Sequence, residues 1–213
     1  MQECFERGWK PVPPETFTSR MVTLVNTAEP GLVIRPIHRV VHSLKGFDPD
    51  RFLKELEGEF RVEPLSSLEE AQKRLAEGLG VEHVFVVYLP GGRFYAVSLK
   101  DEGRIPELVP GEQSLAWKSL DVSILHKAVL ERILKIDEEK LAAGTHVSYT
   151  PYREKAVEAV ERGEGQLAIL LNPTRVEEVM AVASQGERMP QKSTDFYPKL
   201  LTGLVAMRME IEK

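Results

Sequence analysis

The sequence predicts an α+β fold with a mixed, largely antiparallel sheet, packed helices and one βαβ unit. Hairpin signals between β-branched runs dominate the first half of the chain, and one strand–helix–strand pattern stands in the second half. No G-x-G-x-x-G turn occurs, so a doubly wound dinucleotide-binding domain is not expected. The chain has 213 residues, 42% of them hydrophobic, which is enough for a sizeable core.

The chain opens with a proline-rich stretch, residues 1–17, which we interpret as a lead-in segment before an α+β domain at residues 18–213. Two β-branched runs, 18–25 and 32–35, predict a hairpin. Asp48 is followed by a proline, a pattern typical of the start of a helix. These signals predict two strands and then a short helix.

The next segment carries clear local signals. A brief strand is predicted at 60–62, and a capping box at Ser67 begins a helix. The runs 84–89 and 93–99 flank a Pro-Gly-Gly sequence, which is the clearest hairpin signal in the chain. Residues 101–116 are rich in turn formers and mark a predicted subdomain joint.

The second half is predicted to contain a central helix and the βαβ unit. Apolar residues fall nearly all round residues 120–136, which indicates a buried helix, and Ser119 is its predicted cap. A strand at 146–149, a helix at 150–163 and a strand at 166–171 predict one βαβ unit with a right-handed crossover.

The C-terminal part is predicted to hold one more helix and a closing strand. Thr174 and Glu177 have capping-box spacing and begin the helix, which Gly186 ends. Residues 203–209 are the predicted closing strand.

Composition excludes several classes of protein. Lysine and arginine total 28 against 33 acidic residues, which gives a net charge of -5. Sequence-independent nucleic-acid binding is not predicted, because it depends on an excess of positive charge. The apolar runs are far shorter than the roughly 20 residues of a spanning helix, so no membrane segment is predicted. Cys4 is the single cysteine, which excludes an internal disulfide. A cytoplasmic protein is the predicted outcome.

The polar stretch from Met189 to Leu204 is the strongest candidate site. It offers two lysines and two hydroxyl side chains within eight residues, which is the equipment for holding a phosphate or a carboxylate. The alternative is a surface loop held in place by its aromatic and proline residues. With the cationic residue that follows His38, the predicted ligand-binding residues are Arg39, Gln191, Lys192, Ser193, Thr194, Tyr197 and Lys199.

The segment from Gly186 to Ser193 also resembles a phosphate-binding P-loop, with Gln191 in place of the second glycine. We reject this interpretation because Pro190 has no N–H to offer a phosphate and a glutamine resists the positive φ that glycine allows. The flanking pattern is also wrong, since a predicted helix precedes the segment. Lys192 is therefore not predicted to be a P-loop lysine.

Three residues are candidates for catalysis: His38, Asp121 and His126. His38 and His42 have the i, i+4 spacing of a metal-binding helix, but Pro36 indicates a strand, so no metal site is predicted. Five residues on a helix separate Asp121 from His126 by about 140°, so these two cannot form a dyad. We expect His38 and Arg39 to meet the lysine-containing loop in one pocket.

Several segments together resemble one known family. Met189 to Lys199, with Gly203 to Val205, closely resembles the C-terminal signature of the prokaryotic family called domain of unknown function 1015. The segments Pro30 to Arg39, Trp117 to His126 and Leu167 to Thr174 look like that family in the same order.

Family members are about twice as long as this chain. Their N-terminal half carries an Asp-Gly-His-His-Arg-Tyr motif that looks like the phosphate-handling loop of ParB and sulfiredoxin domains, and this chain has no such motif. The resemblance thus implies the C-terminal portion of a phosphate- or nucleotide-handling enzyme, with a phosphate-containing small molecule as ligand and its reaction and cofactor open. The alternative is a noncatalytic binding or scaffolding module. In either case the expected partner is a separate N-terminal-half subunit or a second copy of the chain.

Overall fold

Strands and helices follow one another along the chain in mixed order. The structure is a computed structural model that describes residues 10–11, 22, 24–27, 31–199 and 211–212. Its strands are β1 (Lys10–Pro11), β2 (Val33–Arg35), β3 (His38–Val41), β4 (Phe60–Leu65), β5 (Val84–Leu89), β6 (Arg93–Leu99), β7 (Val147–Thr150), β8 (Leu167–Leu171), β9 (Asp195–Tyr197) and β10 (Ile211–Glu212). Its α-helices are α1 (Pro49–Leu56), α2 (Leu68–Gly78), α3 (Ile105–Leu108), α4 (Leu115–Lys118), α5 (Asp121–Ile124), α6 (Glu138–Ala143), α7 (Arg153–Glu161) and α8 (Val176–Ser184). A 3₁₀ turn (Glu102–Arg104) precedes α3, and a π-helical segment (Leu125–Glu131) continues α5.

Two compact units make up the chain. The first consists of Met1–Val33 and Pro198–Lys213, and in it β1 pairs with β10 in antiparallel fashion. The second is Ile34–Tyr197, and it contains the large sheet and the cavities described below. Residues 101–116 lie within the second unit, and a subdomain joint there stays a prediction.

A six-stranded sheet forms the centre of the second unit. Its strand order is β4-β6-β5-β8-β3-β7, and each adjacent pair is antiparallel. Since β7 and β8 are both antiparallel to β3, they run parallel to each other with β3 between them. The predicted βαβ unit is therefore β7-α7-β8, with a crossover that skips one strand. The predicted α+β class with a largely antiparallel sheet is confirmed.

Helices cover both faces of the sheet. Every residue of β5 and β8 is buried, as expected for strands packed on both sides. On one face, Phe85 and Ile169 pack in the cluster that contains the helix from α5 into the π-helical segment. On the other, Val86 and Leu170 pack against apolar residues of α2 and α7. Alternate residues of a strand point to opposite faces, so the two clusters share the same strands.

Two predicted caps are wrong. Ser119 ends helix α4 as its C-cap, so the N-cap position of α5 falls to Leu120, which has no side-chain capping bond. Helix α8 begins one residue later than predicted: the Arg175 N–H donates to Glu178 at 2.7 Å. Thr174 instead donates its hydroxyl to the Ser193 carbonyl at 2.9 Å. The Thr174 hydroxyl therefore makes a tertiary hydrogen bond in place of the helix cap that the local pattern predicted.

The predicted hairpin of residues 18–25 and 32–35 differs from the structure in its second strand. Strand β2 forms a two-stranded sheet with β9, near the other end of the chain. Residues 22, 24 and 25 are not in a strand, and the rest of 18–25, like the predicted strand at 203–209, lies outside the described residues. None of the helices in the described ranges is long and apolar enough to cross a membrane.

Candidate functional site

The candidate site is built around Arg39, which is buried in the core. All four residues of β3 are buried, and the Arg39 side chain is 1% exposed. Its guanidinium donates to the Ile37 carbonyl and, at 2.9 Å, to the Lys192 carbonyl. The Nε atom has no partner among the described residues. Nor does any ion pair in that part of the chain involve Arg39, although buried cations are normally paired with a carboxylate.

A neutral histidine faces this cation. The Nη2 atom of Arg39 lies 3.4 Å from His126 Nε2. Burial, then the charges of Arg39 and Lys127, lower the pKa of His126 to about 3, so its ring is neutral at pH 7. Burial lowers the pKa of Arg39 to about 10, which still leaves the guanidinium charged. The pair therefore carries one net positive charge inside the protein.

The loop that covers Arg39 is held by three hydrogen bonds. Besides the bond from Arg39 to the Lys192 carbonyl, the Ser193 hydroxyl donates to the Pro190 carbonyl at 2.7 Å and Thr174 donates to the Ser193 carbonyl. Lys192 has a φ of 58°, a conformation that is uncommon for a residue with a side chain. The loop is thus fixed, with the Lys192 side chain exposed and the Ser193 side chain used internally.

Tyr149 brings the two predicted cations to one place. Its ring centroid lies 5.8 Å from Cζ of Arg39 and 5.7 Å from Nζ of Lys192. Both distances are within the range of cation–π attraction. The approach of Arg39 to the lysine-containing loop was expected from the sequence, whereas the part of Tyr149 was not, because it depends on the pairing of β3 with β7. A shared ligand site stays a prediction.

A cavity of about 320 Å³ opens beside this cluster. Its lining combines aromatic, apolar and polar side chains: Trp117, His126, Lys127, Glu131, Glu138, Leu141, Ala142, Tyr149, Pro190 and Gln191. The Trp117 ring is oriented by a 3.1 Å hydrogen bond from Nε1 to the Arg188 carbonyl. Lys127 lies 2.8 Å from both Glu131 and Glu138. The charged side chains at this end of the cavity are therefore paired with one another.

The predicted ligand-binding residues do not all meet here. Gln191 lines the cavity, and Thr194 is half-buried in the loop beyond it. Tyr197 lies on β9 with its ring 3.7 Å from the guanidinium carbon of Arg35. Lys199 belongs to the other compact unit. A ligand role for each of these residues stays a prediction.

His38 does not join Arg39, because consecutive strand residues point to opposite faces of a sheet. It is 2% exposed, and its Nδ1 accepts a hydrogen bond from the Leu171 N–H at 3.2 Å. Burial, then the charges of Arg153 and Arg39, lower the pKa of His38 to about 4. His42 lies at the end of the same strand and contacts Ser148. Within the described ranges, no group of three or more metal-binding side chains is arranged around a common point.

Asp121 meets a histidine that the sequence analysis missed. Its Oδ1 lies 2.8 Å from Nδ1 of His83, which directly precedes β5. Burial works against it, but the hydrogen bond and charge of Asp121 raise the pKa of His83 overall. The pair lines a separate cavity of about 190 Å³. The two residues are 38 positions apart, and only the pairing of strands and helices in three dimensions unites them.

The rejection of a P-loop agrees with the structure. Helix α8 precedes the segment and strand β9 follows it, which is the reverse of the strand–loop–helix order that the motif requires. The Lys192 carbonyl accepts a hydrogen bond from Arg39, so this part of the loop is tied to the core.

The fold and these cavities define an α+β protein with a buried, charge-bearing cluster beside a small-molecule-sized cavity. Residues 2–123 match the family described as "Protein of unknown function (DUF1015)", and the chain belongs to this family. The matched range includes the segment Pro30 to Arg39 and the start of the segment Trp117 to His126. The Met189 to Lys199 segment lies outside it.

Some solved structures are similar to the chain at low identity. A conserved hypothetical protein from Pyrococcus furiosus is 18% identical with a TM-score of 0.46, and the match covers 82% of this chain and 60% of that one. A free serine kinase in complex with AMP is 17% identical with a TM-score of 0.46, covering 82% and 57% of the two chains. A mutant free serine kinase in complex with ADP is 15% identical with a TM-score of 0.45 and the same coverage. The chain thus spans less than two thirds of their length. No curated protein is significantly similar in sequence.

Proposed function

We propose that the chain binds a small phosphate-containing molecule in the cavity beside Arg39, as the C-terminal portion of a phosphate- or nucleotide-handling enzyme. The observation that carries this proposal is a buried guanidinium with no carboxylate partner in the described part of the chain, next to a cavity. An unpaired buried charge is costly, and an anion bound nearby reduces that cost.

The two cations play different parts in this proposal. The terminal nitrogens of Arg39 already donate to backbone carbonyls, so Arg39 attracts the anion through its charge. Lys192 is exposed and its ammonium lies at the ring of Tyr149, which lines the cavity, so Lys192 makes the direct contact. Charge-assisted hydrogen bonds from lysine to phosphate oxygens are among the stronger contacts that a protein makes.

The cavity also restricts the size and shape of the ligand. Its volume of about 320 Å³ is at the low end of the roughly 300–1,000 Å³ typical of small-molecule sites. Trp117 and Tyr149 offer flat apolar surfaces on which a planar ring can pack, and Gln191 offers an amide for hydrogen bonding. These features favour a compact ligand that combines a ring with a phosphate-containing group.

Calorimetric titration of the chain with inorganic phosphate, AMP and ADP at constant ionic strength tests the proposal. We expect AMP or ADP to bind and Lys192→Ala to weaken binding about tenfold, as loss of a charge-assisted contact does. Lys155→Ala is a matched control, because Lys155 is also exposed and its ammonium lies 4.9 Å from a tyrosine ring, that of Tyr152. Equal weakening by both substitutions, or no binding of any probe, contradicts the proposal.

The second candidate is a noncatalytic module that pairs with a separate N-terminal half. It is favoured by the hydrogen bonds from Arg39 to the Lys192 carbonyl and from Ser193 to the Pro190 carbonyl, which hold the loop backbone and serve no ligand. Under this hypothesis the chain binds none of the three probes but co-purifies with a separately produced N-terminal half. Binding of a nucleotide by the isolated chain with dependence on Lys192 speaks against it.

A further inference from the structure

The cavity around His83 and Asp121 is separate from the one beside Arg39. It has a volume of about 190 Å³ and is polar, with His83, Glu102, Asp121, Asn172, Arg175 and Glu178 among its lining residues. None of these side chains lines the other cavity. The proposed function leaves this group of charged side chains unused.

His83 is held in a fixed orientation. The His83 carbonyl accepts a 2.9 Å hydrogen bond from the Leu99 N–H, and the strand that follows, β5, is buried throughout. Asp121 is the first residue of α5 and accepts from the ring at Nδ1. A carboxylate at Nδ1 keeps a proton on that nitrogen, so Nε2 accepts a hydrogen bond while the ring is neutral and donates one when the ring is charged. No side chain in the described ranges hydrogen-bonds Nε2.

Arg175 supplies a fixed cation to the same cavity. It occupies the N-cap of α8, and its Nη2 atom lies 3.1 Å from Glu178. Gly80 has a φ of 72°, and a β-carbon there would lie 2.9 Å from Nη1 of Arg175. The guanidinium therefore packs closely over a glycine backbone and keeps donors for a ligand, because guanidinium has five N–H groups in a planar fork.

The remaining charges limit what this cavity accepts. Glu82 is neutralised by Arg74 at 2.6 Å, and Glu178 is paired with Arg175. Glu102 adds a further negative charge, which contributes to raising the pKa of His83. One guanidinium among several carboxylates suits an anion with a single charge better than a phosphate dianion.

We propose that this cavity binds a small hydroxylated monocarboxylate, whose carboxylate accepts hydrogen bonds from Arg175 and whose hydroxyl, which can both donate and accept, hydrogen-bonds Nε2 of His83. The volume of about 190 Å³ restricts the ligand to a short chain. A carboxylate matches the two-pronged geometry of a guanidinium. The hydroxyl then satisfies the one ring nitrogen that Asp121 leaves free, so a carboxylate without a hydroxyl binds less well.

Titration of the full chain with glycerate, followed by NMR of the His83 ring protons, tests this proposal. Acetate and glycerol are single-group controls, since each lacks one of the two recognised groups. We expect glycerate to bind about tenfold more tightly than either control, because one hydrogen bond to a charged or oriented group is worth about that factor. Equal affinity for glycerate and acetate overturns the proposal.

Three substitutions in this cavity and one beside the other cavity make the test specific. His83→Gln is expected to abolish the preference for glycerate over acetate, and Arg175→Gln to abolish binding of both, with circular dichroism to verify folding. Arg175→Lys keeps the charge without the fork and is expected to bind with intermediate affinity. Unchanged glycerate binding in Arg175→Gln overturns the proposal. Lys192→Ala is expected to leave glycerate binding unchanged, so this site and the one beside Arg39 succeed or fail separately.

Discussion

Replacing His38 by glutamine is expected to make the protein less sensitive to acid. His38 is 2% exposed, and its pKa is lowered to about 4 in the folded protein by burial and by the charges of Arg153 and Arg39. In the unfolded chain the same ring titrates near pH 6.5. Between these two values the unfolded state binds more protons, so the free energy of unfolding falls as the pH falls.

The magnitude follows from the same two pKa values. Each pH unit within the window changes the free energy of unfolding by about 1.4 kcal/mol for one fully shifted group. Lowering the pH from 7 to 5 crosses about 1.5 units of the window, so His38 alone removes about 2 kcal/mol of stability. Glutamine takes up no proton as the pH falls and can still accept from the Leu171 N–H, which His38 Nδ1 does in the native protein.

Urea denaturation at pH 7 and pH 5 measures this difference. The loss of stability between the two pH values is expected to be about 2 kcal/mol smaller in His38→Gln than in the unaltered protein. His42→Gln is the control, because it removes a histidine from the end of the same strand. Identical losses in the unaltered protein and in His38→Gln would refute the conclusion that His38 is kept neutral by burial.

Four further outcomes are expected. Thr174→Val removes the hydrogen bond to the Ser193 carbonyl, so it should cost about 1 kcal/mol and speed amide exchange in the covering loop, and unchanged exchange would argue against that role. The chain should show no magnesium-dependent ATPase activity, and an activity lost in Lys192→Ala would contradict the rejection of a P-loop. Asp121→Asn should lower the pKa of His83 in an NMR titration, because the Asp121 carboxylate contributes to raising that pKa. An unchanged pKa would contradict the conclusion that Asp121 and His83 form a hydrogen-bonded pair. Sedimentation at micromolar concentration should reveal a dimer or a complex with an N-terminal half. A typical domain interface buries about 600–1,500 Å², so an interface of that size is expected between this chain and its partner. A monomer that binds no partner would contradict this expectation.

Local signals predicted the central part of the fold well. The strands at Val84–Leu89 and Arg93–Leu99 have the predicted bounds, because β-branched runs and a Pro-Gly-Gly turn act over a few residues. Helix α6 (Glu138–Ala143) was missed although Asp137 caps it and Gly144 ends it with a φ of 64°. None of its residues is buried, so it has no apolar stripe for a periodicity argument to detect.

Long-range pairing decided what the sequence could not predict. Arg39 was predicted at a binding site from its charge and its neighbour, but strand pairing on both sides of β3 places its side chain in the core. The meeting of His83 with Asp121 likewise depends on how a strand entrance and a helix start are packed together. Charge and residue type predicted which side chains could bind a ligand or titrate. The neighbours of each side chain could not be predicted, because they are set by the tertiary structure.

The position of β3 between β7 and β8 has a consequence for synthesis on the ribosome. Arg39 pairs with Ile169, so the ribosome must add 130 residues after Arg39 before the partner strand exists. At roughly 5–20 residues per second, this interval lasts on the order of ten seconds. Until Tyr149, its partner on β7, has also been made, a strand that is wholly buried in the finished protein has neither neighbouring strand, and its arginine is exposed to water. Strand β3 of the nascent chain therefore has at least one open edge until β8 has been made.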